Sequence, residues 1–327
     1  MNPKNVKQFN KLPFQCLQVC ILWVFIIGFG QTAIAQGIPK NVKRVLFLGN
    51  SITYAGSYVT DIEAYFVTHY PNQSIEFINV GLPSETVSGL SEEGHAGGRF
   101  PRPDLHERLE RVLTQTKPDL VFASYGMNDG IYLPLDEIRF QKFKDGIHWL
   151  HNEVVKTGAK IIHFTPPIFD ELRGKNVGYA AVLDRYSDWL ISQKSSANWE
   201  VIDVHYPMKK VLEAHRKIDT EFSLTGFTLA EDGVHPGEVG HWIMARETLA
   251  YLGEKEAAKA PDVKAAIAVV PSSEQILKLV SQRQTMMKDA WLTATGHKRP
   301  EMKVGLPLEE AKAKAAEIEK QIRALMK

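Results

Sequence analysis

The chain has 327 residues, 44% hydrophobic and 24% charged, with 39 basic against 38 acidic side chains and a formal charge of +1. So much apolar material, with only 23 glycines and 17 prolines, excludes a wholly disordered chain, a collagen-like repeat and a disulfide-stapled miniprotein. The near balance of charge leaves no polyelectrolyte footprint for nucleic acid, and the length suits one large domain or two modest ones.

Residues 1–35 read as an export signal. Lys4, Lys7 and Lys11 form a positive start, Val19 to Gly30 is an apolar run, and Ala33-Ile34-Ala35 is a small-residue cleavage site. The run is shorter than the roughly 20 residues that a membrane-spanning helix needs. Its bulky Trp23, Phe25 and Phe29, followed by Lys40, Lys43 and Arg44, make a retained anchor the second reading. Cleavage after Ala35 removes those three early lysines and both cysteines, Cys16 and Cys20. The mature chain is then expected to be periplasmic or extracellular without stable membrane insertion. It would have no disulfide, thiolate nucleophile or thiolate metal site.

From Val42 to about Leu252, short β-branched and aromatic runs alternate with longer helical patterns. The runs are Arg44 to Leu48, Ser74 to Val80, Asp119 to Ser124, Lys160 to Thr165 and Glu200 to Val204. Each is apolar at most positions rather than alternate ones, and enough chain for a crossover helix separates each from the next. That pattern predicts five parallel strands buried on both faces and covered by helices. Ligands of such sheets bind at the carboxyl ends of the strands.

After Leu252 the composition shifts, and we divide the chain into the signal (1–35), a main domain (36–255) and a helical extension (256–327). Ser272 with Gln275 predicts a capping box opening a helix to about Trp291. A connector, Gly296 to Pro307, leads to a last helix whose apolar Leu308, Ala311, Ala315, Ile318, Ile322 and Leu325 recur every three or four residues. Glu310/Lys314 and Glu319/Arg323 form i,i+4 pairs on its outer face. An antiparallel hairpin packed on itself or on the main domain is expected, with dimerisation through the last helix as the alternative. The stretch Trp291 to Pro300, with His297, Lys298 and Arg299, reads as a simple connector between helices, with a fold back over the cleft as the alternative.

Four features sit where strands end. Gly49-Asn50-Ser51 follows the first run and can present a hydroxyl with its own N–H free for an anion. Asn79-Val80-Gly81 ends the second, with Glu85 and Thr86 shaping the same edge. Tyr125-Gly126-Met127-Asn128-Asp129 ends the third and places an amide donor there. Far downstream, Asp232-Gly233-Val234-His235-Pro236 precedes a helix, and its three-residue spacing lets the Asp232 carboxylate orient the His235 imidazole as a base toward Ser51. Singly, each has an ordinary reading as a turn, cap or loop residue; together they suit acyl transfer. His148 and His151, three apart on a helical pattern, lack a companion set for zinc and read as packing. The loop bearing His95, Gly97, Gly98, Arg99 and Arg102 crosses near the strand ends, as a wall of the substrate entrance would.

In this order the four motifs resemble the SGNH hydrolases, also called the GDSL esterase/lipase family, over about Val42 to Leu252. The resemblance implies a three-layer α/β/α sandwich, flavodoxin-like, with Ser51 as nucleophile, His235 as base and Asp232 as its orienting acid. It also implies an oxyanion hole formed by the N–H groups of Ser51 and Gly81 with the Asn128 side chain. Asn50 departs from the family pattern, which has Asp there, a change that bears on fine geometry and removes no triad function. No cofactor and no metal are expected. Export and the absence of a bulky amphipathic lid favour an O-acetyl ester on carbohydrate, either a small molecule or a polysaccharide. A lipase or lysophospholipase of the same family and a noncatalytic glycan-binding envelope protein are the alternatives.

Overall fold

The computed structural model describes residues 37–218 and 226–327. In chain order its elements are β1 (Arg44–Gly49), α1 (Ser51–Ala55), α2 (Ser57–His69), β2 (Glu76–Asn79), α3 (Leu109–Thr116), β3 (Leu120–Ser124), α4 (Glu137–Lys156) and β4 (Lys160–Phe164). There follow α5 (Tyr179–Ser196), β5 (Glu200–Ile202), α6 (His205–Ile218), α7 (Glu238–Tyr251), the single turn α8 (Val263–Ala266), α9 (Ser273–Thr295) and α10 (Leu308–Leu325). The export signal and cleavage site expected over residues 1–35 lie outside the described residues.

The five apolar runs are the five strands. They pair in parallel in the order β2-β1-β3-β4-β5, so β2 is an edge and the chain turns back across β1 to reach β3. Successive side chains of a strand point to opposite faces, and β4 shows what covers each. Phe164 packs edge-on to Tyr58 of α2, 5.9 Å between ring centres, whereas His163 meets His151 of α4. Helices on both sides explain why the runs are continuously apolar, and the architecture is the expected three-layer α/β/α sandwich. On the α2 face, Phe47, Phe122 and Phe164 stack along the sheet at 5.1 and 5.7 Å. On the α4 face, His151 and His163 stack against Trp199, and His148 meets the edges of Trp189 and Trp199. Both helical histidines are therefore packing residues, as the spacing suggested.

The C-terminal hairpin packs on itself and on the main domain. Gln284 donates to Phe77 O at 2.9 Å and to Glu63 Oε2 at 2.6 Å, so α9 satisfies part of the open edge of β2, which would otherwise be available for pairing. The apolar stripe of α10 faces inward, with Ala311 and Ile322 fully buried. Two expectations change here. Ser272 occupies the N-cap of α9 but its side chain makes no capping bond, and α9 runs on to Thr295. The Glu319/Arg323 pair is not confined to an outer face, because Glu319 also accepts from Arg283 of α9 and Arg323 donates to Pro71 O. The described residues belong to one compact unit, so the division drawn after residue 255 is not a gap in packing. No helix among them is long and apolar enough to cross a membrane.

Candidate active site

Three strand ends and the loop before α7 converge at one edge of the sheet. At the first, Asn50 is the N-cap of α1, its Oδ1 accepting from Ile52 N at 3.0 Å. An amide oxygen caps a helix as well as a carboxylate does, which accounts for Asn at this position. Ser51 opens the helix, so its backbone N–H has no acceptor one turn earlier.

The loop before α7 supplies the partners of the Ser51 hydroxyl. Asp232 Oδ1 accepts from the N–H groups of Val234 and His235 at 2.9 and 2.8 Å, and Oδ2 lies 2.6 Å from His235 Nδ1. His235 Nε2 lies 2.8 Å from Ser51 Oγ. Partial burial pushes the Asp232 carboxyl up, but the bonds from the His235 ring and from the two N–H groups outweigh it and hold the group below the usual carboxylate range. An ionised Asp232 places the ring proton on Nδ1 and leaves Nε2 to accept from Ser51. Gly233 makes the loop possible: its φ is +82°, and a Cβ there would sit 2.3 Å from Gly174 N. Its carbonyl accepts from the N–H of fully buried Asp170 at 2.9 Å. Asp170 in turn pairs with Arg216 and accepts from Thr228.

Asn128 is buried at the end of β3. Tyr132 donates to its Oδ1 at 3.1 Å, and its Nδ2 donates to Glu85 O at 3.1 Å. An amide nitrogen carries two hydrogens, so one donor of Asn128 remains for a substrate oxygen.

Gly81 has a different part from the expected one. Its N–H donates to Asn79 Oδ1 at 2.9 Å, while Asn79 Nδ2 donates to Thr53 O at 2.7 Å. That N–H is already bonded, and the residue instead allows the chain leaving β2 to press on α1, since a Cβ would fall 2.3 Å from Tyr54 N. Directly after it, Leu82-Pro83-Ser84-Glu85 forms a turn closed by Glu85 N to Leu82 O at 3.2 Å. Ser84 has a φ of +67°, and its N–H has no acceptor among the described residues. Proline at the second position of a four-residue turn is the signal for this loop, whereas the role expected for Gly81 came from the family resemblance.

Buried charges hold these loops. Glu85 forms a bidentate pair with Arg108 at 2.6 and 2.7 Å and accepts from Tyr125 at 2.6 Å. Asp129, fully buried, accepts from the N–H groups of Val87, Ser88 and Gly126 at 2.8 to 2.9 Å. The long loop after β2 also reaches this edge: Arg102 is clamped by Glu92 and lies 5.2 Å over the Tyr132 ring. Among the described residues no group of His, Cys, Asp and Glu is arranged to hold a metal ion.

A nucleophilic hydroxyl bonded to an imidazole that is oriented by a carboxylate, with amide donors beside it, is equipped for acyl transfer. The model of the GDSL-like lipase/acylhydrolase family matches residues 47–243. The chain belongs to this family. It is thus a carboxylic ester hydrolase, as the four motifs led one to expect. A curated relative, the acetylxylan esterase of Geobacillus stearothermophilus, is 24% identical over 235 residues, covering 64% of this chain and 94% of the relative. The crystal structure of an acetylxylan esterase from the same organism aligns at 24% identity with a TM-score of 0.50, covering 67% of this chain and 96% of the other. That likeness bears on the fold. A gut microbial diltiazem-metabolizing enzyme aligns at 22% identity with a TM-score of 0.45, covering 67% of this chain and 49% of that enzyme. The family match ends before α9, so the helical hairpin lies outside it.

Proposed function

We propose that this family member is an exported serine esterase that removes O-acetyl groups from carbohydrate. The observation that carries the chemistry is the unbroken line from Ser51 Oγ through His235 to Asp232, 2.8 and 2.6 Å per link. Ser51 attacks the ester carbonyl as His235 Nε2 takes its proton, and the imidazolium is stabilised by Asp232. The same proton passes to the departing alcohol, giving an acyl-serine. Water, deprotonated by His235, then releases the acid and restores Ser51. The oxyanion of each tetrahedral intermediate meets the Ser51 N–H, the free Asn128 donor and, in place of Gly81, the Ser84 N–H.

Two things support an acetylated carbohydrate: a relative named for acetylxylan, and the export signal in residues 1–35, which puts the enzyme where polysaccharide is found. Purified protein is tested on p-nitrophenyl acetate, butyrate and octanoate beside Ser51→Ala, and then for acetate release from a panel of acetylated polysaccharides. The expected result is hydrolysis of the acetyl ester that is lost in Ser51→Ala, with acetate released from at least one glycan. Equal rates for the two proteins would refute a serine mechanism, and hydrolysis confined to octanoate would favour a lipid acyl hydrolase. A mature N-terminus at Gln36 in the exported fraction checks the localisation.

A further inference from the structure

We infer, on the esterase reading above, that Arg299 in the connector between α9 and α10 is a positioning residue that aims the Ser84 N–H at the oxyanion. Arg299 Nε donates to Pro83 O at 3.0 Å. The Pro83 carbonyl and the Ser84 N–H belong to one trans peptide unit and point in opposite directions, so a donor that fixes the first fixes the second. This is the central peptide of the Leu82–Glu85 turn, and a turn's closing bond does not hold its central peptide. With Ser84 at a φ of +67° the turn is of the kind that ordinarily carries glycine at its third position. A serine there gains by rotating that peptide over to negative φ, which would turn the N–H away. A guanidinium bond to the carbonyl opposes the rotation, and bonds from a charged donor are the strong ones.

Arg299 is itself held. Its Nη1 donates to Pro300 O at 2.8 Å, and its guanidinium lies 5.3 Å from the centre of the Phe100 ring. The extension also touches the other side of the site. Lys288 of α9 donates to Tyr54 O at 2.9 Å and lies 3.7 Å from the centre of the Tyr54 ring, one helical turn from Ser51. The hairpin that the family match leaves out thus braces both the Ser51 helix and the Ser84 turn, and of the two readings of the connector the one that brings it back to the site accords with these contacts.

The test uses the full chain with p-nitrophenyl acetate, its active serine counted by stoichiometric reaction with an organophosphate. Arg299→Ala is expected to lower kcat per active serine about 10- to 100-fold, one to two steps of tenfold in rate, with KM within about twofold of wild type. Arg299→Lys is expected to recover part of the loss. Ser84→Gly in the Arg299→Ala background is expected to recover most of it, because glycine adopts positive φ without strain. Undiminished kcat in Arg299→Ala would overturn the inference, and so would a loss that Ser84→Gly does not rescue, since that would mark a general packing defect. Absence of hydrolysis by wild type would instead overturn the esterase reading and this inference with it.

Discussion

The Glu85 carbonyl accepts from Asn128 Nδ2 at 3.1 Å and so decides which end of that amide is a donor to its surroundings, while the Tyr132 hydroxyl donates to the other end, Oδ1, at 3.1 Å. Were the amide reversed, its nitrogen would face a hydroxyl and its oxygen would face Glu85 O, an acceptor against an acceptor. The orientation is therefore fixed by the Glu85 carbonyl, and the uncommitted N–H is available without reorganisation when charge develops on a substrate oxygen. Asn128→Ala is expected to lower kcat by about 10²–10³, the usual loss for one oxyanion donor. Tyr132→Phe keeps the donor and loosens it, for which about tenfold, the worth of one net hydrogen bond, is expected. Steady-state kinetics on p-nitrophenyl acetate decide both; near wild-type turnover in Asn128→Ala would remove it from the mechanism.

Gly81→Ala separates the two parts considered for that residue. Alanine keeps the backbone N–H, so a residue that acted only as an N–H donor would tolerate it. The added Cβ, however, would lie 2.3 Å from Tyr54 N and 2.6 Å from Thr53 C, and these are backbone atoms of α1 that no rotamer change can move. A drop in Tm of several degrees is expected, as for overpacking of about 1–3 kcal/mol, with activity falling because Ser51 moves with its helix. An unchanged melting curve would count against the close approach.

The strands were legible because burial on both faces writes itself into every position of a run such as Val45 to Leu48, and Ser51, Asp232 and His235 because their motifs are local. What was hidden depends on chain segments meeting from afar. Nothing near Arg299 announces that its side chain reaches Pro83, and nothing near Glu85 announces its carbonyl as the acceptor of Asn128 Nδ2, since both pairings exist only once distant parts of the chain share an edge. The left-handed backbone of Ser84 is not legible in the sequence, because the turn imposes it against serine's own propensity. Asp129 was read as motif, yet its three backbone donors come from two separate loops. The capping box at Ser272 had the right residue types, but the side-chain bond it implied is absent.

Glu85 and Arg108 test how much the loops depend on buried charge. Both side chains are at most 1% exposed, and the Tyr125 hydroxyl adds a further bond to the carboxylate. Removing one partner of a buried pair leaves the other charge uncompensated, which costs about 3–5 kcal/mol. Glu85→Gln is expected to lose stability on that scale in urea denaturation, with the Asn128 site disturbed because Glu85 O is its acceptor. A loss under about 1 kcal/mol, the range of an exposed pair, would show that Arg108 finds another partner.

Asp61 predicts a pH dependence of stability with a definite sign. It lies on α2, where burial and then the nearby charge of Glu238 push its carboxyl up from 3.8 to about 7. The folded protein therefore holds a proton that the unfolded chain releases, and the stability this contributes is fully present below about pH 3.8 and lost as pH rises through about 7. Asp61→Asn is neutral throughout and escapes that loss. Its stability relative to wild type should grow with pH between about 4 and 7, by at most about 1.4 kcal/mol per unit, and level off above. His163 and His241 act the other way: burial lowers them from 6.5 to about 3 and about 4, the charge of His235 adding to the second. Each then contributes stability that is present above 6.5 and lost as the pH falls toward its folded value. Both histidines are common to the two proteins, so they shape each curve and cancel in the difference. Urea unfolding of wild type and Asp61→Asn at pH 5 and pH 8 measures that difference, and a gap that does not widen with pH would mean that Asp61 ionises at no extra cost in the fold.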